Sequence, residues 1–145
     1  MSMSIQLVFD TAEPAHLARF WAEALGYRLQ PPPDGFDTWE SFLREQGVPE
    51  ERWADASAIV DREGKGPRVY FQRVPEGKTA KNRMHMDLNV SGGDGLPIDE
   101  QKRRVDAEVA RLKALGATDE RGAMECDGEY WVRMNDPEGN EFCVQ

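Results

Sequence analysis

Hydrophobic and polar residues alternate strictly over residues 83–90, and this pattern predicts a β-strand with two unlike faces. The polar face carries Arg83, His85, Asp87 and Asn89, and the apolar face carries Met84, Met86, Leu88 and Val90. One of only two histidines in the chain lies on the polar face. We therefore take His85 as the centre of a candidate site.

The first half of the chain predicts the order strand, helix, strand, strand, strand. A strand over residues 5–10 precedes a helix that has Pro14 in its first turn and ends at Gly26. Its apolar stripe is Leu17, Phe20, Trp21, Ala24 and Leu25. Further strands are predicted at 27–30, 54–60 and 68–74, and an insertion at about 31–53 has the pattern of a short helix.

The second half repeats this order. After the strand at 83–90, a helix runs from about Asp99, a candidate cap, to Leu115 and ends at Gly116. Strands are predicted at 117–121, 129–134 and 141–144.

Short stretches of sequence recur at matching places in the two halves. Both helices end in Ala-Leu-Gly, at residues 24–26 and 114–116, and both last hairpins turn on an Asp…Gly segment, at 61–64 and 136–139. The shared order predicts an internal βαβββ duplication and an α+β fold. We expect one domain over residues 1–145, with module 1 at about 4–75 and module 2 at about 82–145.

Composition narrows the classes of partner. A net charge of −9 argues against nucleic acid or an anionic membrane as a general partner, although a few local arginines can still bind a small anion. The sequence has no long apolar run and no secretory signal pattern, so we expect a cytoplasmic protein. Its two cysteines, Cys126 and Cys143, are then expected to be free, with Cys126 packed in the interior.

Two motifs resemble those of a known family. Residues 74–87 (VPEGKTAKNRMHMD) and 136–143 (DPEGNEFC) are similar to the central and C-terminal motifs of small glyoxalase-like proteins of the vicinal oxygen chelate superfamily. That superfamily includes glyoxalase I, bleomycin-binding proteins, fosfomycin-resistance enzymes and extradiol dioxygenases. The resemblance implies two βαβββ modules that form a curved, mixed-sheet open barrel, with a ligand or metal in its concavity.

Strand parity then assigns residues to the two faces of each sheet. The residues expected to meet the helices are Ile5, Leu7, Phe9, Val69, Phe71, Met84, Met86, Leu88, Phe142 and Val144. The residues expected inside the concavity are Gln6, Val8, Arg68, Tyr70, Gln72, Arg83, His85, Asp87, Glu141 and Cys143.

The resemblance also implies four metal-ligand positions, which here are Gln6, Gln72, His85 and Cys143. Only His85 is a strong ligand, and Cys143 occupies the position usually held by a glutamate. Because hard divalent ions favour carboxylates or several imidazoles, we expect a degenerate metal site at His85, Gln6 and Gln72 and no cofactor, with a divalent metal as the alternative.

Several side chains keep more than one interpretation. His85 is a structural histidine bonded to a neighbour such as Asp87, an acid/base group in a metal-free pocket, or a metal ligand. Cys143 is an inert thiol, or else a ligand or nucleophile. Trp39 in the insertion stacks on a flat ligand or closes a small core. The basic residues Arg68, Lys78, Lys81 and Arg83 form an anion-binding rim or pair with surplus carboxylates.

The sequence favours a small-molecule-binding protein whose ligand site surrounds His85. The catalytic candidate is His85, and the expected substrate-binding residues are Gln6, Arg68, Tyr70, Gln72, Arg83, Cys143 and Trp39. The alternatives are a metal-dependent lyase, isomerase or dioxygenase, a drug-sequestering binder of the bleomycin-resistance type, and a module without turnover. The resemblance allows a homodimer as well as a monomer.

Overall fold

The chain contains two compact units, Met1–Gly77 (unit 1) and Lys78–Gln145 (unit 2). The computed structural model describes residues 1–92 and 95–145, and for Glu120 the backbone alone. Each unit has one four-stranded mixed sheet.

The elements follow the order expected from the sequence. Unit 1 contains β1 (Gln6–Thr11), α1 (Pro14–Leu25), β2 (Arg28–Leu29), α2 (Trp39–Glu45), a 3₁₀ turn (Glu50–Arg52), β3 (Ala56–Val60) and β4 (Arg68–Arg73). Unit 2 contains β5 (Asp87–Leu88), α3 (Ile98–Leu115), β6 (Thr118–Cys126), β7 (Glu129–Asn135) and β8 (Glu141–Val144). The short helix predicted in the insertion is α2.

The two sheets have the same topology. Their strand orders are β1-β4-β3-β2 and β5-β8-β7-β6. In each, the first and last strands pair in parallel and the remaining neighbours are antiparallel. The predicted α+β class and the βαβββ duplication are confirmed.

The core of unit 1 lies between its sheet and α1. Pro14 opens α1, where a missing backbone N–H costs no hydrogen bond, and Gly26 ends it. The rings of Phe9 and Phe71 stack with centroids 5.4 Å apart, and Trp21 of α1 packs 5.4 Å from Phe9. Because Phe71 and Trp21 are almost fully buried, this aromatic group anchors the helix on the sheet.

In unit 2, α3 packs on β7 and β8. The buried side chains shared by these elements are Val105, Val109, Leu112, Val132, Met134, Phe142 and Val144. The helix begins at Ile98 with Pro97 as its cap, so Asp99 lies inside the first turn and the predicted capping role was wrong. In that turn its carboxylate still interacts favourably with the positive N-terminal end of the helix dipole. Among the helices of the described residues, none has the length and hydrophobicity needed to cross a bilayer.

Two predicted strands extend too far at their ends. The strand predicted over 83–90 contains only Asp87–Leu88, and its hydrogen bonds to β8 run from the Met86 carbonyl to the Val90 N–H. Met84 lies beyond the reach of the four-residue β8 and is 73% exposed. Likewise Ile5 precedes the first pair of the β1–β4 ladder and is 69% exposed. The expectation that these two side chains meet the helices was wrong, because no partner strand extends that far.

The strand predicted at 117–121 is longer than expected. Strand β6 continues to Cys126, and its pairing with β7 shifts register between Asp119 and Ala123. Gly122 lies within this shift and has a φ of 71°. A β-bulge accommodates an extra residue without ending the strand. Gly122, which in the sequence suggests a turn, therefore lies inside β6.

We expect Gly26→Ala to lower the free energy of unfolding by about 1 kcal/mol, because an L side chain is strained in the left-handed region. Gly26 has a φ of 69°, and a Cβ there would have nothing within 4 Å, so backbone strain alone sets the cost. Gly77→Ala is the matched control, since that site has equal space and no positive φ. Urea unfolding of both variants measures the difference, and equal stability would contradict the argument.

Candidate functional site

Three side chains of unit 2 with reactive or metal-binding atoms lie close together. His85, Asp87 and Cys143 each offer one such atom, and these atoms all lie within 4.8 Å of one another. The His85 Nε2 is 3.3 Å from the Asp87 Oδ1. We call these three residues the His85 cluster.

The pairing of β5 with β8 produces this arrangement. Asp87 lies directly opposite Cys143 in the parallel ladder, and His85 precedes Asp87 by two residues, so all three share one face. Cys143 is in turn paired with Arg133 on β7. The side chains of His85 and Asp87 are 43% and 42% exposed, which leaves the cluster open to a ligand.

The thiol of Cys143 is held in its protonated form. Burial raises the pKa of this thiol, and the charge and hydrogen bond of Asp87 raise it further, while Arg133 and Lys81 act in the opposite direction. A raised pKa reduces the thiolate fraction at neutral pH and therefore the nucleophilicity of the sulfur.

We expect iodoacetamide at pH 7 to alkylate Cys143 several-fold more slowly than Cys126. Cys126 is exposed, contrary to the expectation that it packs, because it lies at the end of β6 beside the turn to β7. Asp87→Asn should accelerate the reaction of Cys143 alone, since it removes a negative charge that raises the pKa. Mass spectrometry of the two modified peptides gives both rates, and an unchanged rate at Cys143 would contradict the role of Asp87.

Glu141 binds the segment that leads into β5. Its carboxylate accepts a hydrogen bond from the Asn82 backbone N–H at 3.0 Å and lies 3.2 Å from the Lys78 Nζ and 3.5 Å from the Arg133 Nη2. The Asn82 side chain also donates to the Glu141 carbonyl at 3.4 Å. The Glu141 side chain is only 11% exposed, so this network of charges is largely shielded from water.

The pKa of Glu141 reflects these partners. Burial would raise the pKa, but the N–H groups of Asn82 and Glu141 and the Lys78 ammonium outweigh it and lower the pKa to about 2. Glu141 is therefore ionised at neutral pH. Of the two interpretations of Lys78, the structure supports the ion pair, and Asn82 ties the preceding segment to β8.

Polar residues on the corresponding face of unit 1 bind one another. Arg68 donates to the Gln6 Oε1 at 2.7 Å and to the Gln30 Oε1 at 2.6 Å, and its guanidinium lies 5.2 Å from the ring centroid of Tyr70. Gln72 donates to the Asp10 Oδ1 at 2.8 Å. These contacts fix the side chains of a polar wall.

The expected metal-ligand set is not assembled within unit 1. Gln6 pairs with Arg68, whereas Gln72 pairs with Asp10 four residues further along the same ladder. Four residues of strand correspond to about 13 Å, and each glutamine is bonded to its own cross-strand neighbour, so the two amides do not converge on one point. Around His85, the structure instead brings together Asp87 and Cys143.

The other residues that the sequence suggested as site candidates make contacts outside the His85 cluster. The Trp39 indole donates to the Gln30 carbonyl at 2.8 Å and packs edge-on against Phe42, so its observed contacts are those of a small core in the insertion. Lys81 makes a 3.4 Å contact with the Asn82 carbonyl, and Arg83 is exposed. His16 lies 4.0 Å from a carboxylate oxygen of Glu13 at the helix surface.

Comparisons with known proteins give a family and a fold. Residues 6–145 match the model of the glyoxalase-like domain family. A possible glyoxalase from Bacillus cereus is 14% identical, with a TM-score of 0.60, and the match covers 100% of this chain and 99% of that one.

Two further structures are similar. A variant of the fosfomycin resistance protein FosX from Listeria monocytogenes, complexed with Mn(II) and 1S,2S-dihydroxypropylphosphonic acid, is 12% identical, with a TM-score of 0.62 and coverage of 100% and 92%. A glyoxalase-related enzyme from Fulvimarina pelagi is 14% identical, with a TM-score of 0.60 and coverage of 99% and 87%. At these identities the likeness establishes a shared fold. A search of curated proteins found no match.

Proposed function

Because the chain belongs to the glyoxalase-like domain family and has the vicinal oxygen chelate fold, we propose that it binds a small molecule against the β5–β8 face of unit 2, with His85 as the acid/base group. The observation that carries this proposal is the grouping of His85, Asp87 and Cys143 within 4.8 Å on one open face. The reacting ligand is a small oxygen-bearing molecule that places an exchangeable proton beside the imidazole.

The pair of His85 and Asp87 suits proton transfer. Because Asp87 lies 3.3 Å from Nε2, it orients the ring and leaves Nδ1 to exchange a proton with a ligand. A neutral imidazole has one ring nitrogen that accepts a proton and one that donates, so one side chain can serve as both acceptor and donor. The protonated Cys143 lines the same face as a neutral hydrogen-bonding group.

The test is ligand-induced stabilisation of variants at the two histidines. Melting temperatures are measured with a hemithioacetal of an α-ketoaldehyde and with a hydroxylated phosphonate, on the unmodified protein, His85→Ala and His16→Ala. A ligand that binds this face raises the melting temperature of the unmodified protein and of His16→Ala, and loses its effect in His85→Ala. A ligand whose effect survives His85→Ala would contradict the proposal.

A second candidate is metal-assisted chemistry, favoured by the same grouping of donor atoms. One imidazole nitrogen, one carboxylate oxygen and one sulfur suit a borderline ion such as Zn²⁺ better than a hard ion, and three protein ligands leave a position open. His85, Asp87 and Cys143 would hold the ion, in place of the set His85, Gln6 and Gln72. A bound divalent ion would polarise an oxygen of the ligand.

Metal titration separates the two candidates. Metal-assisted chemistry predicts stoichiometric Zn²⁺ or Co²⁺ binding with proton release, because Cys143 must lose its proton to ligate, and a thiolate-to-cobalt absorption band. Asp87→Asn and Cys143→Ser should weaken binding, whereas Asp10→Asn in unit 1 should not. The absence of stoichiometric binding to chelator-treated protein would contradict metal-assisted chemistry and leave the metal-free proposal in place.

The cytoplasmic location expected from the sequence remains a prediction, and the choice between a homodimer and a monomer stays open. Cell fractionation tests the first, and light scattering of the purified chain over a range of concentrations tests the second.

A further inference from the structure

A cavity of about 370 Å³ lies in unit 2 beside the His85 cluster. Its walls come from the end of β5, the β6–β7 turn, the first turns of α3 and the end of β8, and the six lining residues used below are Asn89, Gln101, Asp127, Glu129, Trp131 and Gln145. The volume is within the range of small-molecule sites.

Part of the cavity wall lies on the same face of the sheet as the His85 cluster, and the rest comes from the β6–β7 turn and the first turns of α3. Cys143 pairs with both Asp87 and Arg133, and two residues further along these strands lie Gln145, Asn89 and Trp131. Two residues of strand span about 7 Å, which separates the cavity from Asp87 and Cys143, and His85 lies two residues further, about 13 Å along the strand from Asn89. An extended small ligand is therefore needed to reach from the imidazole into the cavity.

The end of the cavity next to β5 presents a hydrogen-bond donor beside an acceptor. The Gln145 side-chain amide donates to the Asn89 Oδ1 at 2.9 Å. This bond fixes both amides and leaves the Gln145 Oε1 and the Asn89 N–H groups without another hydrogen bond among the described residues. Such an edge is complementary to a group that carries its own donor and acceptor side by side.

The rest of the lining favours hydrogen-bond donors on the ligand. The Gln101 amide donates to the carbonyls of Leu96 and Gly128, at 2.9 and 3.3 Å, which leaves its oxygen as an acceptor. Asp127 and Glu129 add two carboxylates, and no lysine or arginine is found among the described residues that line the cavity. An anion would therefore meet repulsion and few donors.

We propose that this cavity binds a planar carboxamide- or amidine-like group, neutral or cationic, hydrogen-bonded to Asn89 and Gln145 and packed against Trp131. The indole offers a flat face of the kind that stacks on a planar ligand and attracts a cation. The inference rests on the proposed function in one respect, since it describes the non-reacting end of the molecule that His85 would act on.

Three probes of one shape test it: benzamide, benzamidine and benzoate. Titrations follow the side-chain amide signals of Asn89 and Gln145 and the indole N–H of Trp131 by ¹H–¹⁵N NMR. Benzamide and benzamidine are expected to shift these signals with saturation, and benzoate to bind about tenfold more weakly because it has no N–H donor and meets two carboxylates. Benzoate binding as tightly as benzamide would overturn the proposal.

Variants locate the binding. Asn89→Leu and Trp131→Leu should each lower benzamidine affinity about tenfold, and Gln46→Leu, at an exposed glutamine of unit 1, should leave it unchanged. Asn89 is exposed, so its variant reports binding even if Trp131→Leu disturbs the fold. An unchanged affinity in Asn89→Leu would overturn the inference.

The His85 imidazole signals report the proposed function separately. They belong to the reacting end of the site, so failure of the fragment titrations and failure of the His85 test are distinguishable results.

Discussion

Phe71→Ala is expected to lower the free energy of unfolding by about 3–5 kcal/mol, as for other large aromatic side chains removed from a close-packed core. Phe71 is 0% exposed, and its ring stacks on Phe9, which in turn contacts Trp21 of α1. Removing the ring leaves a cavity at the contact between sheet and helix, and the hydrogen-bonded ladder of β1 and β4 limits how far the sheet can relax to fill it. Urea unfolding followed by far-ultraviolet circular dichroism measures the change.

The control is Val8→Ala, on the neighbouring strand of the same sheet. Val8 pairs with Tyr70, one residue from Phe71, but faces the other way and is 51% exposed. We expect its truncation to change stability by less than about 0.5 kcal/mol, as is usual for surface positions. Comparable losses in the two variants would mean that this face of unit 1 is covered and that its polar wall is part of a core.

Glu141→Gln is expected to lower the free energy of unfolding at pH 7 by about 1–2 kcal/mol, the range for hydrogen bonds to charged groups after allowance for solvent screening. The amide keeps the shape of the carboxylate but lacks its charge, which leaves Lys78 and Arg133 without their shared counter-charge. The segment leading to His85 should loosen as a result. Hydrogen exchange at residues 78–86 is expected to rise in the variant.

The same carboxylate predicts a dependence of stability on pH. Its pKa in the folded protein is about 2, below the ordinary value of 4.5, so the unfolded chain binds a proton more readily. The stabilisation is therefore fully present above the ordinary value and is lost as the pH falls through the folded pKa. Between about pH 5 and 2, stability should fall more steeply in the unmodified protein than in Glu141→Gln.

Glu76→Gln provides the comparison for this pH profile, because Glu76 is an exposed glutamate close in sequence to the same segment. Its profile should follow that of the unmodified protein. If both variants flattened the profile equally, the effect would come from overall charge, and the special role of Glu141 would be wrong.

Local signals in the sequence were sufficient to predict the helices and hairpins. Pro14 at the start of α1, glycine at the end of α1 and α3, and the Asp…Gly turns each act within a few residues, so the chain alone reveals them. The repeated order of these signals predicted the duplication and, with two motifs, the family. Strand ends were predicted less well, because the length of a partner strand decides where Ile5 and Met84 lie.

The candidate site shows a similar limit. Matching motifs assigned residue types to ligand positions, but only the register reveals that Gln6 and Gln72 are separated and that Asp87 lies opposite Cys143. The sequence did indicate that Asp87 lies near His85, because residues two apart in a strand lie on the same face. The contacts of Glu141 with Lys78 and Asn82 span about sixty residues of chain, and no local pattern predicts which carboxylate a lysine binds.

The parallel pairing of first and last strands has a consequence for how quickly each unit folds. The contact between Arg68 and Gln6 joins residues 62 apart in sequence, and that between Gln145 and Asn89 joins residues 56 apart. Closing a loop of this length costs chain entropy before any of the stabilising contacts form. The antiparallel hairpins β3–β4 and β6–β7 close much shorter loops, so they should form early and the parallel ladders last. The face that carries His85, Asp87 and Cys143 would then be the last part of unit 2 to assemble. Ligand binding at that face would therefore appear only in chains that have folded completely.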